Sequence, residues 1–108
     1  MPTAPIPRMD LPEALKLLRK CFAEAGVRQT KHFIAELAKE ARTFVDVGVV
    51  IGSGNIYDAP EQDLKSGDWK YKVEGFCRDR QWLAIVFCFK EVDLALLIPV
   101  FSVENLRR

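Results

Sequence analysis

At 108 residues the chain is long enough for one hydrophobic core and too short for two. Its 49% apolar content, with 16 Lys/Arg against 15 Asp/Glu, is globular and excludes a disordered or fibrous chain. Its three cysteines, odd in number, widely spaced and without a C-x-x-C pair, exclude a disulfide framework and a zinc module.

Met1 to Arg8 has prolines at 2, 5 and 7 and no apolar h-region, so residues 1–9 read as a flexible tail rather than a signal peptide. Leu11, Ala14, Leu15, Leu18, Cys21, Phe22 and Ala25 then recur at helical spacing. Asp10 is the expected N-cap, Glu13 its capping-box partner and Gly26 the stop. Thr30 caps a second predicted helix, in which Phe33, Ile34, Leu37, Ala38 and Ala41 form the apolar stripe and Glu36, Lys39, Glu40 and Arg42 face water. Thr43 with Asp46 repeats the capping signature and predicts a short third helix through Val47, Val50 and Ile51, ended by Gly52-Ser53-Gly54.

Ile56 and Tyr57 begin an edge strand before an acidic loop, 58–68. The period then changes to two. Trp69, Tyr71 and Val73 alternate with Lys70, Lys72 and Glu74, giving a strand with one apolar and one polar face. Gly75 to Arg80 reads as a charged turn. The run from Trp82 to Phe89 is almost wholly apolar, as expected of a central strand covered on both faces or lying at a partner interface. Leu94 to Val103 is a further strand. Pro99 inside it cannot donate a ladder hydrogen bond, so that strand should be an edge or carry a bulge. The expected fold is α+β: residues 10–108 form a single domain with two or three N-terminal helices packed on a three- to four-stranded antiparallel sheet. Cys21 and Cys88 fall at core positions. No apolar run approaches the roughly 20 residues of a membrane span, and the expected compartment is the cytoplasm.

Charge is unevenly spread. Residues 1–42 carry eight Lys/Arg against five Asp/Glu, residues 43–68 one against five, and residues 69–108 seven against five. If the fold joins the basic ends, they make a phosphate-attracting face; otherwise these charges only solvate the surface. Phosphate-loop, dinucleotide, zinc-protease and serine-hydrolase motifs are all missing, and no cofactor or metal is expected. The lone histidine, His32, falls in the first turn of the second helix, where the dipole favours the neutral imidazole that a general base needs. Lys31 and Arg28 precede it, and Lys70 and Lys72 share a strand face, so these groups are candidates for binding a phosphate and stabilising charge on it. The alternative is a surface histidine near a cap and lysines that keep an outer strand soluble.

The series Thr30-Lys31-His32-Phe33, Phe44-Val45-Asp46-Val47, Ile56-Tyr57, Trp69 to Gly75 and the strands ending in Pro99-Val100-Phe101 resembles a bacterial family of unknown function. That family has a helix H-x-x-x-R, a "DV" helix and a strand Y-x-V-x-G, and is itself similar to RelE/ParE-like toxins, including BrnT and the motility quorum-sensing regulator toxins. The resemblance covers roughly residues 28–103. It implies helices set against an antiparallel sheet, metal-independent cutting of messenger RNA and an antitoxin partner. Carried onto this chain, His32 matches the family histidine, Asp46-Val47 the helix pair, and Tyr71, Val73 and Gly75 the strand motif, with Gly75 ending the strand. The implied catalytic set is His32, Lys31, Lys70 and Lys72, with Arg28, Tyr71, Arg78 and Arg80 binding substrate, and the implied step is attack of a 2′-hydroxyl on the adjacent phosphate. Glu36 stands where the family has arginine and would repel a phosphate. The rival expectation is a non-catalytic binding module that pairs with an antitoxin-like protein, or with itself as a homodimer, through the sheet.

Overall fold

A computed structural model describes residues 4–102. The order of elements is α1 (Leu11–Ala23), β1 (Val27–Gln29), α2 (Lys31–Lys39), α3 (Phe44–Ser53), β2 (Asn55–Ile56), β3 (Glu61–Gln62), β4 (Trp69–Phe76), β5 (Trp82–Glu91) and β6 (Leu94–Ser102). The three helices form where the caps and apolar spacing place them. Asp10 Oδ1 accepts from the Glu13 N–H at 2.8 Å, Thr30 Oγ1 from the Phe33 N–H at 3.0 Å, and Asp46 Oδ2 from the Thr43 N–H at 3.0 Å.

The sheet is mixed and six-stranded, in the order β1-β6-β5-β4-β2, with β3 also on β4. This corrects the expected three or four antiparallel strands in two ways. β1 runs parallel to β6, with Arg28 opposite Leu96, and two short strands share the outer edge of β4. β1 and β3 are three and two residues long, too short to show a period, and pair with β6 and β4. Gly26 makes the β1 pairing possible: it donates no space to a side chain, since a Cβ there would lie 2.1 Å from Asp93 O, and its own carbonyl accepts from Ala95 at 2.8 Å.

β5 is the central strand, as its continuous apolarity suggests. β6 lies between β1 and β5, so Pro99 is not on an edge; it sits in a bulge, where Ile85 pairs with Val100 and Phe87 with Leu97. Gly75 does not end β4. It pairs with Leu83 inside the strand, and the turn is Cys77–Arg80, closed by an Arg80 N–H to Cys77 O bond of 3.0 Å. Glycine is required at 75 because a Cβ would meet Gly54 Cα at 2.9 Å where α3 ends against β4.

The core lies between the helices and one sheet face. Ala14, Leu18, Phe33, Leu37, Val47, Val50 and Ile51 meet Tyr71, Val73, Leu83, Ile85, Phe87, Ala95, Leu97 and Val100. The second helix departs from its expected stripe. Ile34, Ala38 and Ala41 are exposed, Glu36 and Glu40 are half-buried, and Arg42, just past α2 and expected in water, is largely covered and bonds Asp79 at 2.6 Å. The segment read as a tail also lies on the domain. Ile6 and Met9 pack on the core, the Met9 N–H donates to Tyr71 Oη at 2.9 Å, and the Arg8 guanidinium stands 5.6 Å over the Trp69 ring. No helix of the described residues is long and apolar enough to cross a membrane.

Candidate functional site

The helices cover only one face of the sheet. Strand alternation sends Lys70, Lys72, Glu74 and Phe76 of β4, and Trp82, Ala84, Val86 and Cys88 of β5, to the other. Trp82, Ala84 and Cys88 are buried yet stand outside the core cluster, covered by their neighbours on this second face. From β6 come Ile98 and Phe101, displaced by the Pro99 bulge, and from β1 comes Arg28 beside Leu96.

A cavity of about 460 Å³ opens on this face. Asp58 and Ala59 of the β2–β3 link and Glu61 of β3 form one wall, Lys70 and Lys72 stand beside them, and Val86, Ile98, Pro99 and Phe101 make the apolar remainder. Tyr57, Phe76 and Phe101 are 40%, 45% and 39% exposed, an unusual amount of open aromatic surface on one side of a small sheet. Trp82 holds two of these rings, Tyr57 at 6.1 Å and Phe76 edge-on at 4.8 Å.

Two lysines of the face are matched within the chain. Lys72 Nζ lies 3.1 Å from Asp58 and 3.8 Å from Glu74. Glu74, only 3% exposed, accepts from the Trp82 indole N–H at 3.1 Å, which gives a carboxylate on the nominally polar face a buried donor. Lys90 is bonded to Asp68, which raises the ammonium above its ordinary range. Burial pushes the nearby Cys88 thiol up, and Asp68 adds to the shift. The acidic middle of the sequence therefore neutralises basic residues of the strands: Asp58 meets Lys72, Asp68 meets Lys90, and Asp46 lies 3.8 Å from Arg78. A continuous phosphate-attracting face does not result.

The candidate residues named from sequence are dispersed. Lys70 and Lys72 line the cavity, and Arg28 shares their face three strands away. His32 and Lys31 are exposed on the first turn of α2, which packs against β6 from the helix side, and neither lines the cavity. His32 makes no hydrogen bond or ion pair among the described residues. The Tyr71 ring points into the core, stacked on Phe87 at 5.5 Å, with only the residue's edge at the cavity. Arg78 and Arg80 are exposed at the β4–β5 turn.

That turn carries a second polar cluster. Asp79 accepts from Arg42, from the Gln81 N–H at 3.1 Å and from the Cys77 thiol at 2.9 Å, bonds that hold its carboxyl far below the usual range. Burial pushes the Cys77 thiol up, and its bond to Asp79 adds to that. Arg42 Nε is buried without a partner. The arrangement pins α2 to the hairpin. Among the described residues no group of His, Cys, Asp and Glu is placed to hold a metal ion.

Sequence reasoning offered the Trp82–Phe89 run, with Val86 in it, as a candidate interface but missed Asp58, Ile98 and Phe101 as site residues. The available signal was the apolarity of Trp82–Phe89 in both registers, which requires cover on both faces although the chain has helices for only one. No family model matches this chain, and neither a curated protein nor a solved structure is significantly similar to it.

Proposed function

We propose that this chain is a non-catalytic protein-binding module of RelE-like fold whose helix-free sheet face receives a protein partner, an antitoxin-like protein or a copy of itself. The observation that supports this reading is the composition of the cavity. Its lining is aromatic and aliphatic at one end, and at the other Lys72 is already neutralised by Asp58 and Glu74. Protein interfaces combine an aromatic centre with a polar rim in this way. His32, the candidate base named from sequence, is not in the cavity, and Glu36 takes the position of the family arginine.

The rival reading is a metal-independent endoribonuclease. It draws on a different observation, that Lys70 and Lys72 line one cavity with Arg28 on the same face. Purified wild type, His32→Ala and Lys70→Ala, each incubated with single-stranded RNA, separate the two. The binding reading expects intact RNA in all three. Cutting by the wild type that either substitution slows by the hundredfold to ten-thousandfold typical of a lost acid–base group would overturn it.

A further inference from the structure

The helix-free face carries its charges in a pattern that narrows the partner. Lys72 and Lys90 are satisfied within the chain by Asp58, Glu74 and Asp68. What is left at the cavity is one ammonium, Lys70, and one carboxylate, Glu61. They are cross-strand neighbours in the β3–β4 pairing, yet neither makes an ion pair among the described residues. A polyanion finds no excess of positive charge at the cavity, whose lining carries Asp58 and Glu61 against Lys70 and Lys72. A one-signed peptide would likewise leave one of the two groups unmatched.

We infer that the occupant of this face is a second copy of the same chain, docked sheet to sheet about a two-fold axis. This rests on the binding-module reading. A two-fold interface uses the same patch twice, so the patch must complement itself. One unpaired cation and one unpaired carboxylate meet that condition: Lys70 of each copy meets Glu61 of the other. The apolar parts meet it as well, since each copy offers protruding rings, Phe76 and Phe101, and a cavity floored by Val86 and Ile98 to receive them. Sheets pack face to face about 10 Å apart with strands rotated by about 30°, and the interdigitated side chains fill that space. With strands about 4.8 Å apart and about 3.3 Å of rise per residue, the strands of this face span on the order of 540 Å². That is below the about 800 Å² per partner of a stable interface, so a weak, reversible dimer is expected.

Sedimentation equilibrium of the whole chain between about 1 and about 200 μM, a range that brackets micromolar dissociation constants, tests the inference. The wild type should pass from monomer to dimer. Lys70→Glu and Glu61→Lys should each shift the midpoint upward by tenfold or more, with unchanged far-ultraviolet circular dichroism. An equimolar mixture of the two should then form heterodimers at wild-type concentrations, because each mixed contact restores opposite signs at both ends. Phe101→Glu should be monomeric throughout. A wild type monomeric at every concentration would overturn the inference, as would charge variants whose mixture fails to associate. A wild type that leaves RNA uncut but stays monomeric sinks the second-copy assignment alone, whereas RNA cutting sinks the binding reading whatever the mass. A rise in mass only on adding a single-stranded oligonucleotide would give the face to nucleic acid and also overturn the inference.

Discussion

The two faces of this sheet are made from alternate residues of the same strands, and they are closed by different means. On the helix side Phe33 and Leu37 of α2, Val47, Val50 and Ile51 of α3, and Ala14 and Leu18 of α1 bury Tyr71, Val73, Ile85 and Phe87 completely or nearly so. On the other side no helix or strand of the described residues lies over the sheet. Small residues such as Ala84 and Cys88 are covered by taller neighbours, and a buried carboxylate, Glu74, is accommodated through the Trp82 indole and Lys72. The first face is closed by packing within the chain. The second is closed by local side-chain cover, with a cavity left open, and that difference is what makes it a surface with a use.

The sharpest way to break this comparison is to truncate one residue on each face of β5. Phe87→Ala opens a cavity in a fully buried aromatic cluster formed with Tyr71 and Phe89, and is expected to cost about 3–5 kcal/mol. Val86→Ala, its neighbour on the open face, is expected to cost less than about 1.5 kcal/mol, because the side chain is only partly buried and borders a cavity already present. Urea denaturation of both variants measures the pair. Equal losses would mean that the second face is packed as tightly as the first.

Much of this division was legible in the sequence, and the rest failed for identifiable reasons. Capping residues and apolar spacing gave the three helices, and period-two alternation at Trp69 to Glu74 gave β4 and its two faces. Pro99 announced an edge or a bulge because a missing N–H is a local fact, and the sheet order decides for the bulge. β1 could not be read because three residues carry no period, and its parallel pairing to β6 depends on residues some 68 positions away, such as the Thr30 hydroxyl that donates to Ile98 O. Arg42 looked solvent-facing by helical spacing, but the chain reverses after α2 and carries it to Asp79. The site was less legible than the fold. Lys70 and Lys72 were visible as a pair, whereas their juxtaposition with Asp58, Ile98 and Phe101 is set by sheet order, which spacing does not encode.

The polar ties of the two layers differ too, and pH separates them. Asp79, held by Cys77, Arg42 and the Gln81 N–H, joins the helix layer to the β4–β5 turn, and its folded carboxyl sits below its unfolded value. A depressed carboxyl contributes stability above the unfolded range near about 4, and that contribution is lost as the pH falls through the folded value. Thermal melts of wild type and Asp79→Asn should therefore differ at pH 7 and converge toward pH 2. Lys90 has the opposite sense: its raised ammonium stabilises the open-face rim below its unfolded range and ceases to do so only as the solution becomes strongly alkaline. If Asp79→Asn left the melting temperature unchanged at pH 7, the tie would be ornamental and the helix layer would be held by packing alone.

The smallest effect concerns backbone strain, which sits at two helix ends and, with Arg80 at φ 68°, in the β4–β5 turn. α1 and α2 both end with an alanine in the left-handed region, Ala25 at φ 58° and Ala41 at φ 55°. The bonds around them are those of a Schellman closure. Gly26 donates to Cys21 O at 2.7 Å and Arg42 to Leu37 O at 3.0 Å, each spanning five residues, with the inner bonds made by Ala25 and Ala41. Alanine at this position costs about 1–2 kcal/mol relative to its preferred backbone, whereas glycine reaches it freely but loses more entropy on folding. The two terms nearly offset, leaving Ala41→Gly a net gain of about 0.5–1 kcal/mol, or a rise of about 2–6 °C in Tm. Ala41 is exposed, so no packing changes with the substitution. Scanning calorimetry reads the shift. A fall in Tm instead would mean that Arg42, placed by this turn against Asp79, depends on the alanine to fix its direction, and the strain would then belong to the tie between the two layers and not to the helix end.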